Sequence, residues 1–104
     1  MILRALVILV VFCMLIPYVK AENEGKRLYI QRCTGCHNTN PSKAGSIGPD
    51  LYTTPREVFL SKVPKGTYPP GYKPKRTSKA MPKFKFLLTS QIDLIYNYIQ
   101  STRK

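Results

Sequence analysis

The apolar positions of this chain fall into one unbroken run and three periodic patches, with long polar stretches between them. The run extends from Ala5 to Ile16. From Glu22 onward, Gly25, Leu28, Tyr29 and Cys33 recur at spacings of three and four, which gives one buried face on a short helix. Glu22 and Glu24 stand at its expected start, where carboxylates complement the helix dipole. Gly25 inside that face costs about 1 kcal/mol relative to Ala, so a close helix crossing is expected there.

A second helix start is written in Thr54, Pro55 and Glu57, which occupy the N-cap, N1 and N3 spacing of a capping box. That helix is predicted to run to about Val63 and to stop before Pro64 and Gly66. The third patch is the most regular. Ile92, Ile95, Tyr96 and Ile99 stand at i, i+3, i+4 and i+7, with Thr89 or Ser90 available as cap and Asp93 three residues after Ser90. Arg103 and Lys104 suit the negative end of its dipole. Residues 38–53, dense in Asn, Ser, Gly and Pro, and residues 64–83, rich in Pro and positive charge, show no periodicity and read as loops. No strand pattern and no internal repeat is visible.

The apolar run changes meaning when its flanks are included. Arg4 precedes it, Pro17 breaks it, and Val19 and Ala21 offer the small residues of a cleavage site, the order of a secretory signal. About a dozen apolar residues fall short of the roughly 18 to 20 that span a bilayer. Residues 1–21 are therefore expected to be a signal peptide, cleaved after Ala21, with no stable membrane span; retention as an N-terminal tether is the alternative. Residues 22–104 then form one domain of 83 residues. A domain this small struggles to bury enough apolar surface by itself, and a bound prosthetic group is expected on stability grounds.

Charge narrows the partners. Arg4 and Lys20 lie in the leader, so the remainder carries 15 Lys and Arg against 5 Asp and Glu, a net charge of +10. An exported chain does not ordinarily meet nucleic acid, so the field favours an acidic protein face or an anionic surface, besides serving solubility.

The chemistry is concentrated in residues 33–37, CTGCH, which hold the chain's one histidine and both cysteines outside the leader. Zinc would need a fourth donor and would strain two sulfurs against an adjacent imidazole. A thioredoxin-like dithiol would need a βαβ setting, which the pattern lacks. The reading that uses every residue is covalent haem attachment: Cys33 and Cys36 reach the two vinyl groups, and His37 falls beneath the iron as proximal ligand. Bis-histidine ligation is excluded with a single histidine. Met81, 44 residues on and followed by Pro82, is the one thioether outside the leader and the expected second axial donor; lysine, tyrosine or an open position are the alternatives.

With Gly25 and Tyr29 before CTGCH, Ile47-Gly48-Pro49-Asp50-Leu51 after it, Met81-Pro82, and Tyr98-Ile99 in the terminal helix, the chain resembles the class I c-type cytochromes, small monohaem carriers exported to the periplasm. The resemblance implies an all-α cytochrome c fold of three to four short helices, with loops wrapped around one covalently bound haem c. It implies a crossing of first and last helices near Gly25 and Tyr98. It further implies that the Pro49 carbonyl accepts the Nδ1 hydrogen of His37, which would fix the ring's tautomer, and that Leu51 and Phe59 line the haem pocket. Tyr68, Tyr72, Lys73 or Arg76 are candidates for the haem propionates.

The expected function is soluble electron transfer: single electrons carried between larger redox partners by a His/Met-ligated haem, whose potential the thioether raises. No other catalytic grouping is present, so an enzyme is not expected. Lys73, Lys75, Arg76, Lys79, Lys83 and Lys85 surround Met81 in sequence and are expected to ring the haem edge, where they would steer an acidic redox partner. The rivals are a ligand-binding or catalytic haem with a labile Met81, and a dedicated subunit of an oxidoreductase complex.

Overall fold

The computed structural model describes residues 2–77 and 79–103, and among them the architecture is three helices and no strand. Helix α1 spans Ile2–Arg32, α2 spans Arg56–Lys65 and α3 spans Thr89–Ser101. The expected helix beginning at Glu22 is instead the C-terminal part of a 31-residue element. Residues 20–24 (KAENE) contain nothing that ends a helix, so the backbone hydrogen-bond ladder continues through them. Glu24 accordingly does not meet a dipole end; it pairs with Arg27 one turn on, at 3.5 Å. Among the described residues no helix is long and apolar enough to cross a membrane.

The frame is the packing of the end of α1 on α3. Leu28 and Tyr29 from α1 meet Ile92, Ile95 and Ile99 from α3, and Phe59 of α2 and Leu87 complete one core. Gly25 is what allows the approach: a Cβ there would lie 2.3 Å from the Leu94 carbonyl oxygen and 3.3 Å from the Tyr98 Cβ. The rings of Tyr29 and Tyr98 then tilt together at 5.7 Å, and the fully buried Tyr29 spends its hydroxyl on the Asn38 carbonyl.

Helix α2 departs from expectation at both ends. Pro55, in extended backbone, is the N-cap and no side chain caps the helix; Thr54 is buried one residue earlier, with 7% of its surface exposed. Pro64 lies inside the last turn rather than beyond it, because the turn is closed from other donors. Gly66, at φ 72°, sends its N–H back to the Lys62 carbonyl, and Phe84 N–H takes the Val63 carbonyl at 2.8 Å.

Helix α3 matches its periodicity, with Ile92, Ile95 and Ile99 buried, but not its predicted cap. Leu88 is the N-cap residue, and its N–H donates to Gln91 Oε1 at 2.9 Å. Asp93 is not part of a box with Ser90. It receives both Arg56 Nε, at 2.7 Å, and Arg56 Nη2, at 2.9 Å, a two-pronged bond that ties the start of α2 to α3. Phe59 meets Tyr96 edge to face at 5.4 Å along the same contact. Arg103 lies over the Tyr52 ring at 5.1 Å, while Lys104 is outside the described residues.

The two long loops are built by side chains and turns. Asn38 Oδ1 accepts the Asn40 N–H, and Asn40 Oδ1 accepts the Ser42 N–H, consecutive Asx turns that carry the chain out of the CTGCH segment. In the second loop Pro69-Pro70-Gly71-Tyr72 is a reverse turn, closed by Tyr72 N–H to the Pro69 carbonyl at 3.1 Å, with Gly71 at φ 82° where the third turn position demands glycine.

Candidate functional site

Helix α1 ends at Arg32, and Cys33 to Cys36 form a turn that stays hydrogen-bonded to it: Cys33 N–H reaches the Tyr29 carbonyl and His37 N–H the Cys33 carbonyl, both at 2.9 Å. The turn fixes the two thiols and the imidazole relative to the helix axis. The following loop closes back over it. Ile47 and Gly48 both donate their N–H to the Cys36 carbonyl, at 3.3 and 2.9 Å, and Gly45 N–H bonds the Gly48 carbonyl at 2.9 Å. This return passes so close that side chains are excluded. A Cβ on Gly45 would stand 2.1 Å from the Cys36 oxygen, and one on Gly48 would stand 2.4 Å from Cε1 of the His37 ring.

His37 is 9% exposed, and its Nδ1 donates to the Pro49 carbonyl at 2.9 Å. A carbonyl can only accept, so the hydrogen is on Nδ1 and the lone pair on Nε2. Burial lowers the imidazole pKa, the Pro49 bond opposes that, and the Arg76 charge lowers it further. Burial and the Arg76 charge thus favour the neutral ring, the form in which an imidazole binds a metal.

These groups open on one cleft with about 1010 Å³ of unfilled space, part of it facing solvent. Cys33, Cys36, His37, Pro49 and Leu51 line it from the α1 end and the first loop, Phe59 from α2, and Tyr68, Tyr72 and Met81 from the second loop. A smaller adjoining hollow shares Cys36, His37, Pro49, Tyr68 and Met81 and adds Gly48 and Arg76. Tyr68 and Tyr72 stack at 5.6 Å, and Lys62 lies over Tyr68 at 4.6 Å. Of the six cations grouped around Met81 in sequence, Lys75 and Arg76 make bonds within the chain, whereas Lys73, Lys79, Lys83 and Lys85 are exposed.

Several lining residues escaped the sequence reading. Thr54, Val58, Lys62 and Val63 reach the cleft from α2 and the residue pair before it, and Phe84, Leu87, Ile92 and Ile95 close it from the other side. A signal existed for Val58, Phe59, Lys62 and Val63, whose spacing places them on one face of α2. Thr54 had no such signal.

The chemistry of the donors separates the alternatives. Cys33 and Cys36 are free thiols, and burial pushes the Cys33 thiol up to about 12, so it is not a thiolate at neutral pH. That disfavours a redox nucleophile, which acts as a thiolate. Among the described residues no group of three or more His, Cys, Asp and Glu is arranged to hold a metal ion directly. A largely apolar cleft that collects two thiols, one imidazole with Nε2 free and one thioether fits a flat, covalently held haem.

The sequence model of the Cytochrome c family matches residues 22–103. No curated protein and no solved structure matched the chain. The family match covers the helices and loops that enclose the cleft. The all-α fold, the CTGCH turn and this match agree: the chain belongs to the cytochrome c family, haem-binding electron-transfer proteins that carry haem c covalently.

Proposed function

We propose that this protein is a single-electron carrier, not an enzyme, in which Cys33 and Cys36 would form the two thioethers to haem c, and His37 Nε2 and Met81 Sδ would hold its iron. When bound, haem c supplies a one-electron ferric/ferrous couple. The chain's own residues do the rest. His37 is oriented by Pro49, whose carbonyl keeps the proton on Nδ1 and strengthens the lone pair on the other nitrogen. Leu51, Phe59, Val58 and Ile95 exclude water from the cleft wall, which favours the less charged ferrous state. Met81 adds a soft donor that favours the same state.

The observation that carries this reading is the one cleft shared by His37, fixed by Pro49, and Met81. Residues 1–21 act as a cleaved export signal, and the mature protein works in the periplasm. Lys73, Lys79, Lys83 and Lys85, with what charge Lys75 and Arg76 still present, guide an acidic redox partner to the cleft mouth; Tyr68, Tyr72 and Lys62, which line the cleft, would bind the haem carboxylates.

The test is the visible and magnetic spectrum of the ferric holoprotein. A low-spin spectrum with a methionine-to-iron charge-transfer band is expected, and a high-spin spectrum would favour a ligand-binding haem instead. Mass spectrometry of the exported product should show the leader absent and one haem attached.

A further inference from the structure

The segment between Gly66 and Phe84 brings Met81 to the cleft, and most of its described residues are exposed. Tyr68 and Tyr72 are half-buried, whereas Lys73, Pro74, Lys75, Thr77, Lys79 and Ala80 are exposed. Two adjacent side chains carry it across to the loop that encloses His37. Lys75 Nζ donates to the Asp50 carbonyl at 3.1 Å, to Asp50 Oδ2 at 2.9 Å and to Thr53 Oγ1 at 2.9 Å, which uses all three of its hydrogens. Arg76 Nη1 donates to the Ile47 carbonyl at 3.1 Å and Nη2 to the Gly45 carbonyl at 3.4 Å. The acceptors Gly45, Ile47 and Asp50 bracket Gly48 and Pro49, the two residues that cradle the imidazole.

From this geometry we infer that Lys75 and Arg76 are positioning residues for Met81: a clasp that holds the Met81 loop on the His37 loop, so that loss of the clasp opens the cleft at Met81 while the helical frame stays folded. The inference rests on the reading of Met81 as axial ligand. Its physical basis is the independence of the two parts. The frame is held by the apolar core of α1, α2 and α3, which contains neither cation and none of the four loop residues that accept from them. A segment with few buried contacts opens locally at a cost set by the bonds that fasten it. The two halves of the clasp also differ. Lys75 and Asp50 form an ion pair with 30% and 36% of their side chains exposed, so salt weakens it, whereas Arg76 binds uncharged carbonyls and is less sensitive.

The test uses ferric holoprotein carrying Lys75→Met and Arg76→Gln together, with Lys65→Met as a charge control away from the clasp. Amide hydrogen exchange in residues 67–83 is expected to quicken by about tenfold or more, with α1 and α3 amides near Tyr29 and Ile99 unchanged. The on-rate of added imidazole is expected to rise by a similar factor, and the charge-transfer band to weaken. Lys75→Arg should retain most of the protection. In the wild type, added salt should speed imidazole entry, and in Lys75→Met it should not.

Unchanged exchange in residues 67–83 of the double variant would overturn the clasp, as would equal acceleration in α1 and α3, which would mean general destabilisation. Absence of the charge-transfer band in the wild type would instead remove the Met81 reading; the exchange measurement still decides whether the two cations fasten the loop.

Discussion

Where α1 crosses α3, Gly25 gives up its side chain so that the Leu94 backbone and the Tyr98 side chain can come close, and Leu28, Tyr29, Ile92, Ile95 and Ile99 bury against one another. Where the loop of residues 45–53 meets the His37 turn, the approach is just as close at Gly48, but the fastenings of that loop, there and to the loop of residues 67–83, are polar: Pro49 to His37, Arg76 to two carbonyls, Lys75 to Asp50 and Thr53. The first region is held by area removed from water, which is cumulative and indifferent to which atom touches which. The second is held by a few directional bonds, each of which aims a particular group. Damage to the first should therefore appear as lost stability, and damage to the second as altered access to the cleft.

That contrast breaks most visibly at Ile99, which is fully buried. Ile99→Ala should cost about 2–5 kcal/mol of unfolding free energy by denaturant titration of the holoprotein, with the visible spectrum of the remaining folded fraction unchanged. A shifted spectrum at small stability loss would show that the frame also aims the site.

Gly48→Ala tests the region where both kinds of damage meet. The added methyl collides with the His37 ring, so a loss of about 1–3 kcal/mol is expected together with a perturbed ferric spectrum. Gly25→Ala, in which the same methyl meets the Leu94 backbone, should cost a similar amount and leave the spectrum alone. The pair compares the two regions with one chemical change.

Met81→Ala sharpens the comparison from the other side. It should lower the reduction potential, abolish the charge-transfer band and admit cyanide or imidazole, while exchange protection of α1 and α3 stays near the wild-type level. Unchanged spectra would mean that another donor holds the iron.

The smallest effect is expected at the Arg56–Asp93 bridge, which is polar but fastens the frame. Arg56 holds the Asp93 carboxyl below its ordinary value of 3.8, so the bridge contributes in full above that pH and its contribution is lost as the pH falls through the depressed native value. Thermal unfolding of wild type and Asp93→Asn should differ slightly near pH 6, and the difference should vanish at acid pH. The pair is solvent-exposed, which keeps the contribution small.

Much of the frame was legible in the chain because helical burial writes a period. Ile92, Ile95 and Ile99 are spaced by the geometry of the helix itself, and Gly25 stands out only because a glycine inside such a period needs a reason. The cap positions were misread by a residue or so, since a hydroxyl at Thr54, Thr89 or Ser90 competes with tertiary demands that the local sequence does not contain. Thr54 turns inward to the cleft, and the backbone of Leu88 finds Gln91. Asp93 was misread for the same reason: three residues after Ser90 it resembles half of a box, but its partner is Arg56, thirty-seven positions away.

By itself the sequence determined the cofactor, because CTGCH places two thiols and an imidazole at a spacing that covalent bonds and one turn of backbone enforce locally. It also determined the helices whose faces must be buried. Only the tertiary structure decided which cations stay exposed and which are spent on bonds within the chain, as Lys75 and Arg76 are, and which loop carbonyls receive them. Their acceptors lie 22 to 31 residues away, and no local period or motif records a bond that exists only once two loops have been brought together.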